Sequence, residues 1–238
     1  MTWHLNELRE LVKRRHGDSV ATALNPSLNA VALKIAFAKY HADETLANIN
    51  ELLSGTSQDE PTELVKLIFE QATDSDRGKK FRKAQFKAEA NIIAFAQSLH
   101  SVADIFSQII FFSLNLQNFS GLKLPKNRLY LGSMVKELER IGQCNSLTSS
   151  LNKLLDSDEF DYLNAFVNTT KHISLINSRY TLSFVEEAEL CHGMRISEFK
   201  YKTKHYVKKW SDKFLGDDFK FLNTAIVESG VILNNCLE

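Results

Sequence analysis

The stretch from Ala88 to Leu116, AEANIIAFAQSLHSVADIFSQIIFFSLNL, limits more than any other what this chain can become. Its apolar residues Ala88, Ile92, Phe95, Leu99, Val102, Phe106 and Ile109 recur in steps of four and three, the period of an α-helix and not of a strand. A second row, Ile93, Ala96, Ala103, Ile110 and Leu114, covers most of the remaining circumference. A helix apolar nearly all round belongs inside a bundle. One polar strip interrupts it. At about 100° per residue, Gln97, Ser101, Asp104, Gln108 and Asn115 fall within roughly a 60° arc, with His100 beside them. Polar groups on a buried helix require partners. The strip must therefore face another element, a second chain or a wet cleft.

The rest of the chain reads as mainly α: a helical bundle around this long central helix, with a small antiparallel β-hairpin in the C-terminal third. The chain has 238 residues, 44% of them hydrophobic, enough for a core without disulfides or metals. One domain over 1–238 is expected, with N-terminal helices in 1–60, a central bundle in 61–178, a hairpin in 179–204 and closing helices in 205–238. Nine glycines and three prolines favour long helices over many turns.

Periodicity gives a helix over about 2–16, ending in Lys13, Arg14 and Arg15. Asn25-Pro26-Ser27 stops one element and starts the next, a helix over 28–53. A loop at 55–61, a helix over 61–72 and a basic run, Asp76 to Lys83, lead into the long helix. That run is either a phosphate contact or a solvated face. A loop at 119–130 precedes a helix over 132–155, broken near Asn145 and Ser146. Ser157 and Asp158 cap a helix over about 158–177. Tyr180 to Val185 and Met194 to Tyr201 alternate like strands, joined through 186–193, and helices over about 205–215 and 217–237 follow.

The 29 basic and 29 acidic residues balance, so global charge names no partner and only local clusters can. Cys144, Cys191 and Cys236 are odd in number without metal-ligand spacing, and are expected as free thiols in a reducing compartment. The start, MTWHLNELRE, lacks the apolar core of a signal peptide. Gln97, His100, Asp104 and Gln108 would each be costly in lipid. A cytoplasmic protein with no membrane partner is expected. There is no phosphate-cradling glycine loop, His-Glu-x-x-His helix, paired-cysteine zinc site or Gly-x-Ser-x-Gly elbow, and Cys191-His192 has no ligand spacing. No metal or cofactor is expected.

Two constellations carry chemistry. On the 158–177 helix, Tyr162, Leu163, Phe166 and Ile173 form the apolar side. Asp161, Asn164, Asn168, Lys171 and His172 form the polar one, with Asn164, Asn168 and His172 in line at i, i+4 and i+8. The segment Val167-Asn168-Thr169-Thr170-Lys171-His172 resembles the signature of the HEPN superfamily, an arginine, a polar residue and a histidine after a short gap. Asn168 and His172 match it, and Val167 stands where the arginine would be. The stretch QSLHSVADIFSQIIF resembles the long bundle helix of bacterial proteins of that type, and the likeness covers roughly residues 80–178.

The resemblance implies an RNA-associated homodimer of antiviral-defence or toxin–antitoxin type, with a partner protein from the same operon. Metal-independent ribonuclease chemistry would have His172 as base or acid, supported by Asn168 and Lys171. The residues also allow a non-catalytic subunit that docks on a partner effector, or a His172 that simply bonds a neighbour on a helix face. His100, Asp104 and Asn164 are expected to join the 168 and 172 side chains in one buried network, catalytic or register-fixing.

The second constellation is Phe199 to Trp210, FKYKTKHYVKKW. On a strand, Lys200, Lys202, Lys204, Lys208 and Lys209 would neutralise phosphates while Tyr201 and Tyr206 stack on bases. Alternatively it is an edge strand with aromatics inward and lysines outward.

Overall fold

The structure, a computed structural model, describes residues 2–58, 60–124, 129–184 and 192–238. It is mainly helical with a small antiparallel sheet. In order come α1 (Leu5–His16), α2 (Asp18–Leu53), α3 (Pro61–Glu70) and α4 (Asp76–Ser113), then a 3₁₀ turn at Leu116–Asn118. Next are α5 (Leu131–Ile141), α6 (Asn145–Leu155) and α7 (Asp158–His172). Five strands follow, β1 (Ser178–Leu182), β2 (His192–Ile196), β3 (Phe199–Tyr201), β4 (Lys204–Tyr206) and β5 (Lys209–Trp210). The chain closes with α8 (Ser211–Lys213), a π turn over Phe214–Asp218 and α9 (Phe219–Asn235).

The whole first apolar row of α4, Ala88 to Ile109, is buried, and the polar strip beside it is half-buried. Four expectations need correcting. Asn25-Pro26 does not end a helix, because Pro26 lies inside α2. Proline within a helix costs about 3 kcal/mol through its missing N–H and ring clash. Val20, Ala21 and Leu24 before it and Leu28 and Val31 after it are all buried, so their packing outweighs the local preference.

The basic run is not a lead-in but the first turns of α4. Its arginines serve the chain itself: Arg77 pairs with Glu70 at 3.0 Å and donates to Thr56 Oγ1 at 2.7 Å, and Arg82 donates to the carbonyls of Gln71 and Thr73. α7 stops at His172, not 177. The N–H groups of Ile173 and Ser174 both turn back to the Thr169 carbonyl (2.9 and 3.0 Å) and close the helix. Finally, the β region is larger than one hairpin. The helix expected from 205 starts at Ser211, because 204–206 and 209–210 are strands. Val185 and most of the expected connection, 186–191, lie outside the described residues.

The described chain divides into two compact units, each assembled from separated stretches: Met1–Ala36, Ser98–Asn164 and Lys220–Glu238 in one, Phe37–Gln97 and Ala165–Phe219 in the other. In the first, Leu8, Leu11 and Val12 of α1, Leu24 and Leu28 of α2, Phe106 and Ile109 of α4, and Leu233 of α9 are buried. The Trp3 ring meets Phe106 edge-on at 5.3 Å and donates Nε1–H to Asn234 Oδ1 at 3.1 Å. It also lies where a side chain on Gly230 would be: a Cβ there would come within 2.2 Å of the ring. Glu137 accepts the Lys123 backbone N–H at 2.9 Å and pairs with Arg140, which holds its carboxyl below the usual range despite burial.

In the second unit, β2 is the middle strand of an antiparallel sheet, order β1-β2-β5, and β3 pairs with β4 as a separate hairpin. The outer edge of β1 is covered by α4. The Ser178 N–H is accepted by Glu89 Oε1 at 2.8 Å and the Tyr180 N–H by Gln85 Oε1 at 3.1 Å. Glu89 and Gln85 are one helical turn apart, the spacing that lets one helix face serve alternate residues of a strand. Phe214 packs on Phe95 (5.4 Å) and Phe166 (5.6 Å), and Phe166 meets Phe199 (6.1 Å). His41 Nδ1 joins α2 to Asn91 Oδ1 of α4 at 2.8 Å.

Candidate functional site

Within the first unit, α4 and α7 meet at His100. The ring has 15% of its side-chain surface exposed and lies parallel to Phe160, 6.3 Å between centroids and 11° between planes. Its Nε2 is 3.2 Å from Asn164 Oδ1. With the Asn164 amide so oriented, Nε2 carries the proton and donates. Its Nδ1 is 3.8 Å from Asp104 Oδ2, too long for a hydrogen bond but within reach of an ion pair when the ring is protonated. Buried Nδ1 has no hydrogen-bond partner among the described residues. Further along the strip, Ser27 Oγ donates to Gln108 Oε1 at 3.4 Å. The strip therefore meets α7 at one place and α2 at another.

The adjoining cavity, lined by Leu99, Val102, Phe160, Leu163 and Ile226 among others, is apolar and about 10 Å³ in volume. That is room for about one water and no ligand. The His100–Asp104–Asn164 group is thus an inner polar contact between helices.

The remaining α7 residues are placed differently. Asn168 is half-buried, and Lys171 and His172 are exposed at the helix end. His172 is eight residues past Asn164, about 12 Å along the helix axis. The expected single network resolves into an inner group at Asn164 and an exposed terminal pair. Val167, in the arginine's position, is 1% exposed. The Thr170 hydroxyl donates back to the carbonyls of Phe166 (3.0 Å) and Val167 (3.1 Å).

In the lysine-rich segment the chain turns between β3 and β4, with Lys202 in a left-handed conformation (φ 54°), so the alternation is not that of one strand. Phe199 stacks on Tyr206 at 4.9 Å, and both are buried. Lys204 covers the Tyr206 ring at 5.2 Å, and Lys202 covers the half-buried Tyr201 ring at 5.2 Å. Lys209 is paired with the buried carboxylate of Asp218. Lys200, opposite His205 in register, is exposed, as are Lys202, Lys204 and Lys208. The register puts Lys200 and Lys204 on opposite faces of the hairpin, so the four exposed lysines do not form a single cationic face, and Tyr206 and Lys209 are turned inward.

Sequence reasoning missed the pair formed by Tyr180 and His192. The Tyr180 hydroxyl is 2.7 Å from His192 Nδ1. Burial pushes the tyrosine's pKa up and the histidine's down, so both are held neutral. His192 also lines a cavity of about 540 Å³ with Leu46, Ile49, Met194, Trp210 and Lys213. Alternation marked Tyr180 as a strand residue, but His192 fell in the expected connection and nothing in the sequence joined the two.

Among the described residues no group of three or more His, Cys, Asp or Glu side chains is disposed to hold a metal ion. One described helix, α2, is long and apolar enough to cross a membrane by length and composition, and a third of its most apolar window is buried. Comparison with models of known protein families, with curated proteins and with solved structures finds no match to this chain.

Proposed function

We propose that this chain is a divergent HEPN-like protein of a bacterial antiviral-defence or toxin–antitoxin type, which associates with RNA as a homodimer and carries a degenerate ribonuclease constellation. The observation that carries the reading is the end of α7. Lys171 and His172 stand exposed side by side, while Val167 is buried where a guanidinium would have to reach out. His172 supplies an imidazole able to take a 2′-hydroxyl proton. Lys171 offers charge to a phosphate, but as a point and not a planar fork, so charge developing on the phosphate is poorly stabilised. Such a site holds RNA better than it cuts it. The exposed lysines 200, 202, 204 and 208 support backbone contact by the same chain.

A second reading, a non-catalytic subunit docked on a partner effector, is favoured by Phe37 and Tyr40. Both are exposed on α2 three residues apart, an apolar patch that suits another protein surface or a second copy.

The test is to incubate the purified protein with single-stranded RNA and tRNA in chelator, beside the His172→Ala variant. RNA retardation without cleavage, weakened in the variant, is expected. Cleavage lost in the variant would make the protein a working ribonuclease. Absence of retardation at low salt would remove RNA and leave the docking subunit.

A further inference from the structure

β5 pairs with β2 only at Arg195 and Ile196. Among the described residues, the edge of β2 away from β1 therefore has no strand beside it at His192, Gly193 and Met194. That stretch, the start of α8 and the later turns of α2 enclose the cavity of about 540 Å³, wholly within the second unit. Small-molecule sites run from about 300 to 1,000 Å³. The walls are largely apolar: Leu46, Ile49 and Leu53 from one face of α2, with Met194 and Trp210 from the sheet.

Two buried polar side chains interrupt them, His192 (8% exposed) and Ser211 (2%). The buried Tyr180 hydroxyl has one partner among the described residues, His192 Nδ1 at 2.7 Å. A buried O–H must donate, so it donates to Nδ1, and Nε2 carries the ring's proton. That Nε2–H has no acceptor among the described residues, and the cavity is the open space that His192 lines. Burial keeps the imidazole neutral, so it offers a hydrogen bond without a charge. Asp212 and Lys213, also in the lining, are exposed and opposite in sign, so they select neither an anion nor a cation.

We propose that this cavity binds an uncharged, mainly apolar small molecule bearing a carbonyl-type acceptor, which takes the hydrogen bond of His192 Nε2. Tyr180 is the positioning residue, fixing the tautomer from behind. The site shares no residue with the end of α7 or with lysines 200 to 208, so it stands apart from the RNA reading.

The test titrates the full chain, labelled with nitrogen-15, with acetophenone, ethylbenzene and benzoate, which present a ketone, no acceptor and an anion on one ring. The chain has two tryptophans, Trp3 in the first unit and Trp210 in the cavity wall. Acetophenone should move the Trp210 indole N–H resonance saturably and leave that of Trp3 in place, and benzoate should bind more weakly. In Tyr180→Phe/His192→Phe, which strands no hydroxyl, acetophenone should weaken about threefold or more while ethylbenzene does not. In the unmodified protein, independently of any variant's folding, the His192 ring nitrogens should show a protonated Nε2 whose resonance shifts with acetophenone and not with ethylbenzene. An unmoved Trp210, benzoate binding as tightly as acetophenone, equal losses for both neutral probes in the double variant, or a His192 protonated at Nδ1 would each overturn the proposal.

Discussion

Replacing Val167 by arginine restores the HEPN-type motif on paper, and the structure says it should unfold the protein before it arms it. Val167 is 1% exposed. Losing its burial costs about 2 kcal/mol. Forcing a longer side chain into a packed interior adds about 1–3 kcal/mol, and an unpaired buried guanidinium adds several kcal/mol more. The sum, about 5–10 kcal/mol, rivals the whole stability of an ordinary domain, about 5–15 kcal/mol. Urea denaturation followed by far-UV circular dichroism measures it, with Val167→Ala as control at about 1–3 kcal/mol. The arginine variant should be largely unfolded or insoluble. A soluble Val167→Arg protein with an unshifted midpoint would refute the placement of Val167, and one that also cleaved tRNA in chelator would show that only the arginine had been missing.

Gly230→Ala should destabilise, although alanine is the better helix former by about 1 kcal/mol, because the new methyl meets the Trp3 ring; overpacking of about 1–3 kcal/mol decides the sign, read from the thermal midpoint and from Trp3 fluorescence. The Glu137 carboxyl is held below its ordinary value in the folded state, first by Arg140, so its stabilisation is complete above the unfolded glutamate pKa of about 4.3 and fades as pH falls through the lower folded value. An acid-unfolding series should show a shallower loss of stability for Glu137→Gln, and parallel curves would refute the pairing. Replacing Lys200, Lys202 and Lys208 by serine should flatten the dependence of log K on log salt for single-stranded RNA by about 2 if each lysine meets one phosphate. Asn164→Leu should cost about 1–3 kcal/mol by stranding His100 Nε2, as measured in urea.

The helices were legible wherever one face stays apolar for several turns. Every residue of the α4 row from Ala88 to Ile109 is buried as its spacing required. Local rules failed where tertiary packing overrode them. Pro26 reads as a stop, yet the buried side chains around it carry α2 through. The β region from 199 was half legible: alternation marked it, but the left-handed turn at Lys202 cannot be inferred from lysine and threonine. Of the polar strip, the contact of His100 with Asn164 followed from two polar faces that both needed partners. The exposure of His172 did not, because the end of α7 is set by the Thr169 carbonyl and not by a capping glycine.

The seat of Trp3 against Gly230 has a consequence for synthesis. While the chain is still emerging from a ribosome, the indole near its start has no α9 to lie on, so Trp3, Phe106 and the apolar side of α1 must wait with one flank uncovered. Nascent chains stalled short of α9 should bind chaperones and be cut readily by protease in their first helices, and protection should arrive abruptly once that helix has cleared the exit tunnel.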